Sequence, residues 1–259
     1  MRSSNTRPLA LVTGGNRGIG RAIVCALAAR GFDVAFVDLQ HQPDTDFTMA
    51  AARSAGARVV FIPGDLADVE QHGRMLDMAH AFGGPLQTLV NNAGISVPLR
   101  GDVLDVLPDH FDRVMDVNLR GTFFLTQAAA RRMLGEPPSA AQRSIVTVTS
   151  ASAGMVSPDR AAYCCSKAAL STVVKIFALR LADAGIGCYE LRPGIIRTEM
   201  THMATEKYDR LIEQGLIPMP RWGAPEDVGR AAAALAAGEF SYMTGDALHV
   251  DGGLHIQRL

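Results

Sequence analysis

The sequence predicts an α/β domain in which a seven-stranded parallel sheet is flanked by helices on both faces. Two observations lead to this fold class. Short runs of β-branched residues that end in Gly or Asp alternate with segments of helical periodicity, which is typical of repeated βαβ units. Most of these runs, LALVT and SIVTV among them, lack the alternation of a half-buried strand. Because parallel strands are covered on both faces, continuous apolar runs indicate a doubly wound sheet.

The predicted elements follow one another along the whole chain. Between the strands, Ile23 and Leu27 repeat at helical spacing before Gly31, and Pro225 with two following acids opens a late helix. The segment 135–140 (GEPPSA) is a predicted surface loop before the fifth strand. The predicted strands are 9–13, 34–37, 58–63, 88–91, 144–149, 187–191 and 247–250.

Neither a repeat nor a linker divides the chain. We therefore assign residues 1–259 to a single domain. Its nucleotide-binding half is expected to span about 1–150, and its catalytic and lid half about 150–259.

Composition and charge argue against several function classes. The 25 Lys and Arg residues nearly balance the 26 Asp and Glu residues, so the net charge attracts neither nucleic acid nor an anionic membrane. The apolar run before Thr13 is too short for a signal peptide, and we find no later run that approaches a membrane span. The cysteines and histidines show no metal-ligand spacing, so we predict no metal. These observations favour a cytoplasmic protein with a small-molecule partner and no nucleic-acid or membrane partner.

A glycine-rich turn directly follows the first predicted strand and opens the first helix. It reads TGGNRGIG over residues 13–20. Such a turn lets the backbone approach a pyrophosphate, which free N–H groups and the positive end of the helix dipole stabilise. The alternative is a tight turn that needs glycine only for its dihedral angles. Asp38 ends the second strand and favours the nucleotide interpretation, because a carboxylate there can bond the adenosine ribose hydroxyls.

Further polar residues follow the third and fourth strands. Asp65 and Leu66 come after one, and the segment 91–94 (NNAG) comes after the other. Each is compatible with a simple Asx turn. Because the carboxyl ends of parallel strands share one edge, together they predict a single crevice. In it, Asp65 meets the adenine amino group and the 91–94 backbone lines the cofactor's ribose.

Tyr163 and Lys167 lie one helical turn apart on the helix after the fifth strand. A phenol titrates near ~10, but an adjacent ammonium and a cationic nicotinamide ring favour phenolate and lower its pKa. The Ser150 hydroxyl, at the end of the fifth strand, can hold a substrate oxygen within reach of Tyr163. A lone Tyr-Lys pair at this spacing is usually an amphipathic helix. The strand-end serine and the glycine turn favour a proton-transfer site.

These motifs resemble, in order and over nearly the whole chain, those of the short-chain dehydrogenase/reductase family, and look most like its 3-oxoacyl-carrier-protein-reductase-like branch. The resemblance implies a Rossmann-type fold and an NAD(P)-dependent oxidoreductase that interconverts a secondary alcohol and a ketone. It rests on the TGxxxGIG turn, Asp65, the NNAG segment, Asn118, Ser150, Tyr163, Lys167, Pro193, Gly194 and Thr198.

The resemblance also implies a role for each site residue. Tyr163 exchanges the proton, Ser150 positions the carbonyl oxygen, and Lys167 also binds the nicotinamide ribose. Asn118 supports a water-linked proton relay, and the segment 199–220 forms a mobile lid. The implied cofactor contacts are Gly14, Asn16, Arg17, Gly18, Ile19, Gly20, Asp38, Asp65, Leu66, Asn92, Ala93, Gly94, Tyr163, Lys167, Pro193, Gly194, Ile196 and Thr198.

Two residues pull the choice of cofactor in opposite directions. Arg17 resembles the basic residue that NADP-using members place near the 2′-phosphate, whereas Asp38 resembles the NAD-selecting acid. A carboxylate repels that phosphate, while an arginine on a solvated turn can swing away or pair with Asp38 itself. We therefore expect NAD to be preferred, with NADP possible through Arg17.

The natural substrate stays open at this point. A 3-oxoacyl compound and a sugar or polyol are both compatible with the lid sequence, and a catalytically silent nucleotide-sensing regulator is the alternative from another class. Arg100 and Arg160 could reach an anionic substrate, although an exposed loop arginine is the commoner state. The resemblance implies a homotetramer whose interfaces use the helices that carry Asn118 and Tyr163 and the last strand.

Overall fold

A seven-stranded parallel sheet forms the centre of the molecule, as the sequence predicts. The computed structural model describes residues 7–137 and 142–257. The strand order is β3-β2-β1-β4-β5-β6-β7, and every neighbouring pair is parallel. The strands are β1 Leu9–Thr13, β2 Asp33–Asp38, β3 Val59–Pro63, β4 Leu86–Asn91, β5 Arg143–Val148, β6 Ile186–Pro193 and β7 Ala247–Val250.

Apolar clusters cover both faces of the sheet. All five residues of β1 are buried. Ala10 and Val12 belong to one cluster, whereas Leu9 and Leu11 belong to the other, because successive side chains of a strand point to opposite faces. This two-sided burial is the physical reason for the continuous apolar runs in the sequence.

Helices on the two faces connect the parallel strands. A π-helical segment, Asp116–Gly121, joins the fourth and fifth helices. The predicted loop 135–140 falls largely on residues 138–141, which lie outside the described residues; the fifth helix ends at Gly135. The helices are α1 Gly18–Ala29, α2 Pro43–Ser54, α3 Gln71–Gly83, α4 Pro108–Met115, α5 Thr122–Gly135, α6 Ala161–Leu181, α7 Glu199–His202, α8 Thr205–Glu213 and α9 Pro225–Ala236.

One helical segment corrects the expectation that no run approaches a membrane span. Pro158–Ala184, which contains α6, is 27 residues long and holds an 18-residue window with a mean hydropathy of 1.3, enough by length and composition to cross a membrane. It is 61% buried inside the protein and packs against β6. Its apolar character therefore has a structural reason in the domain core.

The strand order creates a crevice at one edge of the sheet. β1 lies between β2 and β4. The connection after β1 leads to β2 on one side of it, whereas the connection after β4 leads to β5 on the opposite side. In doubly wound sheets ligands bind outside the carboxyl ends of the strands at this switch point. The glycine turn, the end of β2 and the loop after β4 all lie there.

Candidate active site

A cavity of about 890 Å³ opens at the carboxyl ends of the strands. It brings together nearly all residues that the sequence analysis selected, from both halves of the chain. The selected residues that line it are Gly14, Arg17, Gly18, Ile19, Gly20, Asp38, Asp65, Leu66, Asn92, Ala93, Gly94, Ser150, Tyr163, Lys167, Pro193, Gly194, Ile196 and Thr198. Asn16 and Asn118 are absent from its wall.

The glycine turn leaves room for a pyrophosphate. Gly14 and Gly18 have φ angles of +70° and +54°, which favour glycine, and a Cβ on Gly20 would overlap the carbonyl oxygen of Gly14. The first turn of α1 has neither a side-chain cap nor an acidic residue. Its N–H groups therefore face the cavity without a competing acceptor, and the residues present fit a dinucleotide.

Asn16 contacts the Asp38 carboxylate and the segment that follows β2. Its backbone N–H donates to Asp38 Oδ2 at 3.1 Å, and the Leu39 N–H donates to Oδ1 at 3.0 Å. The buried Asn16 side chain donates to the Gln40 carbonyl and accepts from Thr45 Oγ1. Asn16 thus orients the carboxylate, whereas the sequence analysis places it in direct contact with the cofactor.

Arg17 pairs with Glu199 and not with Asp38, so of the two possibilities left open by the sequence its side chain takes the one that points away from that acid. Arg17 Nη1 lies 2.6 Å from Glu199 Oε2, and the two side chains are 58% and 65% exposed. Glu199 is the first residue of α7, so this ion pair connects the glycine turn to the start of the predicted lid. Sequence distance hides the pairing, because 182 positions separate the two residues.

Asn92 fastens the loop after β4 to the glycine turn. Its Nδ2 donates to the carbonyl oxygens of Thr13 and Gly14 at 3.0 and 3.1 Å, and its N–H lies 3.0 Å from Thr13 Oγ1. Asp65 Oδ1 accepts the Ala67 N–H at 2.9 Å, which is an Asx turn at the cavity wall. Asp65 therefore forms an Asx turn and also lines the cavity.

Tyr163 is buried beside Ser150 and Lys167. Burial raises the pKa of its phenol, and a hydrogen bond with Ser150 and the charge of Arg160 oppose this effect only in part. Lys167 Nζ lies 5.7 Å from the centroid of the Tyr163 ring. The expectation that a neighbouring ammonium lowers the pKa is wrong for the protein alone, because desolvation of the phenolate dominates.

Lys167 is hydrogen-bonded to β5 and lies within the electrostatic influence of Glu190. Its Nζ donates to the Val148 carbonyl at 3.1 Å. The pKa of Lys167 is lowered to about 8, because the effect of burial exceeds the opposing effect of the Glu190 charge. Arg192 donates two hydrogen bonds to the Glu190 carboxylate, at 2.7 and 3.2 Å. Sequence reasoning missed Glu190, because a lone acid inside a predicted strand carries no motif.

Asn118 lies in the π-helical segment and is fully buried. Its Oδ1 accepts the Ile95 N–H at 2.8 Å, and its Nδ2 donates to the Ile95 carbonyl and to Ser166 Oγ. Single-turn π segments occur often at functional sites. The side chain joins the loop after β4 to α6, so it fixes the distance between the cofactor loop and the Tyr163 helix.

Comparison with known proteins shows similarity along nearly the whole chain. The family profile described as enoyl-(acyl carrier protein) reductase matches residues 14–255. The 3-oxoacyl-[acyl-carrier-protein] reductase of Staphylococcus aureus is 33% identical over 250 residues, which cover 95% of this chain and 98% of that protein.

The chain belongs to the short-chain dehydrogenase/reductase family. Versicolorin reductase 1 of Dothistroma septosporum is 31% identical over 256 residues and 95% of each chain. A crystal structure of a 3-oxoacyl-[acyl-carrier protein] reductase from Brucella melitensis in complex with NAD is 49% identical, with a TM-score of 0.95 over 99% of this chain and 100% of that one. This chain is thus an NAD(P)-dependent oxidoreductase that interconverts an alcohol and a ketone.

This short-chain dehydrogenase/reductase has a side-chain cluster that the sequence analysis dismissed. His249, Asp251 and His255 place their ligand-type atoms within 4.8 Å of one another at the end of β7. The two imidazole rings stack with centroids 3.7 Å apart, and His255 Nδ1 lies 2.8 Å from Asp251 Oδ2. The spacing H-x-D-x-x-x-H was the available signal. The absence of a metal stays a prediction.

Proposed function

We propose that this protein interconverts a secondary alcohol and a ketone of the 3-oxoacyl type, with NAD(H) preferred and with Ser150, Tyr163, Lys167 and Asn118 as the residues that carry the reaction. One observation supports this most: the Tyr163 phenol, hydrogen-bonded by Ser150 and next to Lys167, lies in the same cavity as the glycine turn.

The cofactor and the protein divide the chemistry. When bound, the nicotinamide ring supplies the acceptor or donor of the hydride. Ser150 holds the substrate oxygen, and Tyr163 moves the proton on that oxygen. Because burial raises the pKa of Tyr163, its phenol is protonated at neutral pH and can donate to the oxygen of a ketone as it is reduced.

Lys167 and Asn118 are proposed to support this proton transfer. A lysine whose pKa is about 8 gains and loses its proton near neutral pH, which suits a relay. Asn118 acts on the relay through position, since its side-chain atoms are engaged with Ile95 and Ser166. Lys167 Nζ also faces the loop at Gly94, where the nicotinamide ribose is expected.

The preference for NAD rests on the Asp38 carboxylate. Two backbone N–H groups fix it at the end of β2, in the cavity wall. A fixed carboxylate accepts hydrogen bonds from ribose hydroxyls and repels a 2′-phosphate. Arg17 is engaged with Glu199, which weakens its attraction for NADP.

The substrate class rests on relatives and on the cavity. Both the Staphylococcus and the Brucella proteins named above are 3-oxoacyl reductases. Apolar side chains of the lid, Leu211 and Leu216, line the cavity together with Met155 and Val156. This wall favours an acyl substrate over the polyol alternative, and the intact Ser150, Tyr163 and Lys167 argue against a silent regulator.

A homotetramer in the cytoplasm completes the proposal. The edge strand β7 has four partly exposed residues, which leaves its free side available for pairing. On α6, the side chains of Ile176 and Leu179 are 52% and 86% exposed. Apolar side chains exposed next to an open sheet edge are typical of an interface between subunits.

Replacement of Tyr163 by Phe tests the reaction. The phenylalanine keeps the packing of the ring but removes its proton, so we expect turnover to fall by at least ~10²–10⁴-fold while the affinity for NADH is retained. Single-turnover rates and cofactor titration measure the two quantities. Single-turnover activity within about tenfold of the parent would refute the role of Tyr163.

A further inference from the structure

Arg160 lies next to the reacting groups, three residues before Tyr163 and directly before α6. It lines the cavity, and its guanidinium carbon is 5.4 Å from the centroid of the Tyr163 ring. Its Nη2 donates to Ser152 Oγ at 3.3 Å, and the Ser152 N–H donates to Ser150 Oγ at 3.0 Å. Two hydrogen bonds therefore connect the guanidinium to the hydroxyl that holds the substrate oxygen.

The guanidinium of Arg160 is incompletely partnered. Its Nε is buried and has no hydrogen-bond partner. Among residues 7–137 and 142–257, no carboxylate oxygen lies within 4 Å of any guanidinium nitrogen of Arg160. Two of the three other arginines that line the cavity, Arg17 and Arg100, pair with acids, Glu199 and Asp159 respectively. Nη1 of Arg160 has no hydrogen-bond partner among the described residues and, unlike Nε, is not buried, so it can donate to an acceptor on a ligand in the cavity.

Asp159 does not fill this role, although it is adjacent in sequence. It accepts a hydrogen bond from Ser157, and Arg100 lies 3.5 Å from its Oδ2. Lys207 of α8 also lines the cavity, and its positive charge helps to lower the pKa of Asp159. The surroundings of Tyr163 therefore favour an anion on the substrate.

We propose that Arg160 binds a carboxylate of the substrate, so that this protein acts on the free oxo acid or hydroxy acid of the proposed substrate type, unlike the relatives whose names specify an acyl-carrier-protein conjugate. The planar guanidinium fork matches the two oxygens of a carboxylate, and Nη1 and Nη2, which each keep an N–H without a partner, can supply its two donors. The proposal rests on the proposed reaction at Tyr163 and narrows its substrate: the group beyond the ketone carries a negative charge.

Matched acids and methyl esters test the charge alone. We would measure kcat/KM for 2-oxobutanoate, 3-oxobutanoate and 4-oxopentanoate, each beside its methyl ester, with the parent and with Arg160→Gln. The parent should prefer the acid of the best pair. Arg160→Gln should lower kcat/KM for that acid by about 10- to 100-fold, because a hydrogen bond to a charged group is lost, and should change the ester by less than about threefold.

Two control variants separate recognition from structure. Arg100→Gln removes a positive charge from the same cavity that is already paired with Asp159, so the acid-to-ester ratio should stay within about threefold of the parent. Arg160→Lys keeps the charge but loses the fork, and should recover only part of the preference. A parent that prefers the esters, or an Arg160→Gln variant that loses acid and ester equally, would overturn the proposal.

A binding measurement makes the result independent of turnover. Calorimetry with Tyr163→Phe and NAD would compare 3-hydroxybutanoate with its methyl ester, in the presence of Arg160 and in the double variant with Arg160→Gln. The acid should bind about 10-fold more weakly or worse in the double variant. Equal affinities would overturn the role of Arg160, whereas inactivity of the parent on all pairs with this binding difference intact would count against the reaction alone.

Discussion

Substitution of Asp38 by serine is expected to move cofactor preference from NAD toward NADP. The carboxylate ends β2, lines the cavity, and is fixed by the N–H groups of Asn16 and Leu39 at 3.1 and 3.0 Å. A serine at this position still offers one hydroxyl to the ribose but carries no charge. The variant therefore loses the charged contact to NAD and the repulsion of the 2′-phosphate at the same time.

Both losses lower the ratio of kcat/KM with NAD to kcat/KM with NADP. A hydrogen bond to a charged group contributes about 1.5–3 kcal/mol, which is about 10- to 100-fold in kcat/KM for NAD. Relief of the repulsion raises kcat/KM for NADP. The Arg17–Glu199 ion pair is exposed on both sides, so releasing Arg17 toward the phosphate costs no more than about 1 kcal/mol. We expect the NAD-to-NADP ratio to fall by at least about 10-fold.

The assay compares kcat/KM for the two cofactors at constant ionic strength, because the charge terms are screened by salt. Asp46→Ser is the matched control: this carboxylate on α2 is 72% exposed, and its loss should leave the ratio unchanged. Glu199→Gln in the Asp38→Ser background should increase the shift by freeing Arg17. A parent that prefers NADP, or an Asp38→Ser ratio within about threefold of the parent, would refute the reasoning.

Two other predictions concern the support of the site. Burial raises the pKa of Glu190, but hydrogen bonds from Arg192, Thr149 and Ser171 outweigh it and hold the pKa below its usual value. Glu190→Gln should therefore lower the free energy of unfolding by about 2–4 kcal/mol at pH 7 in urea titrations. The difference should shrink as the pH falls below the ordinary glutamate pKa of about 4.3, because the unfolded parent then binds a proton that the folded carboxylate resists; a constant difference down to about pH 3 would contradict this. Hydrogen exchange in the segment 199–220 should slow when NAD and substrate bind together, and equal exchange with and without ligands would exclude a lid.

The sequence predicted the sheet well where strands are continuously apolar, and less well at polar strand ends. The second strand begins one residue earlier than expected, at Asp33, which is buried because Arg58 and Arg7 pair with it. The sixth strand extends through Arg192 to Pro193. Arg192 is there the charge partner of Glu190, an acid that no sequence motif marks.

The sequence by itself determined the fold class, the glycine turn, the family resemblance and the lining of the cavity, because these depend on local patterns: apolar runs, glycine dihedral angles, and residues that directly follow strands. Only the tertiary structure decided which charges meet. It paired Arg17 with Glu199, placed Glu190 near Lys167, left the Nε of Arg160 without an acceptor, and raised the pKa of Tyr163 by burial. Ion-pair partners and desolvation depend on groups far apart in the chain, so no local pattern records them.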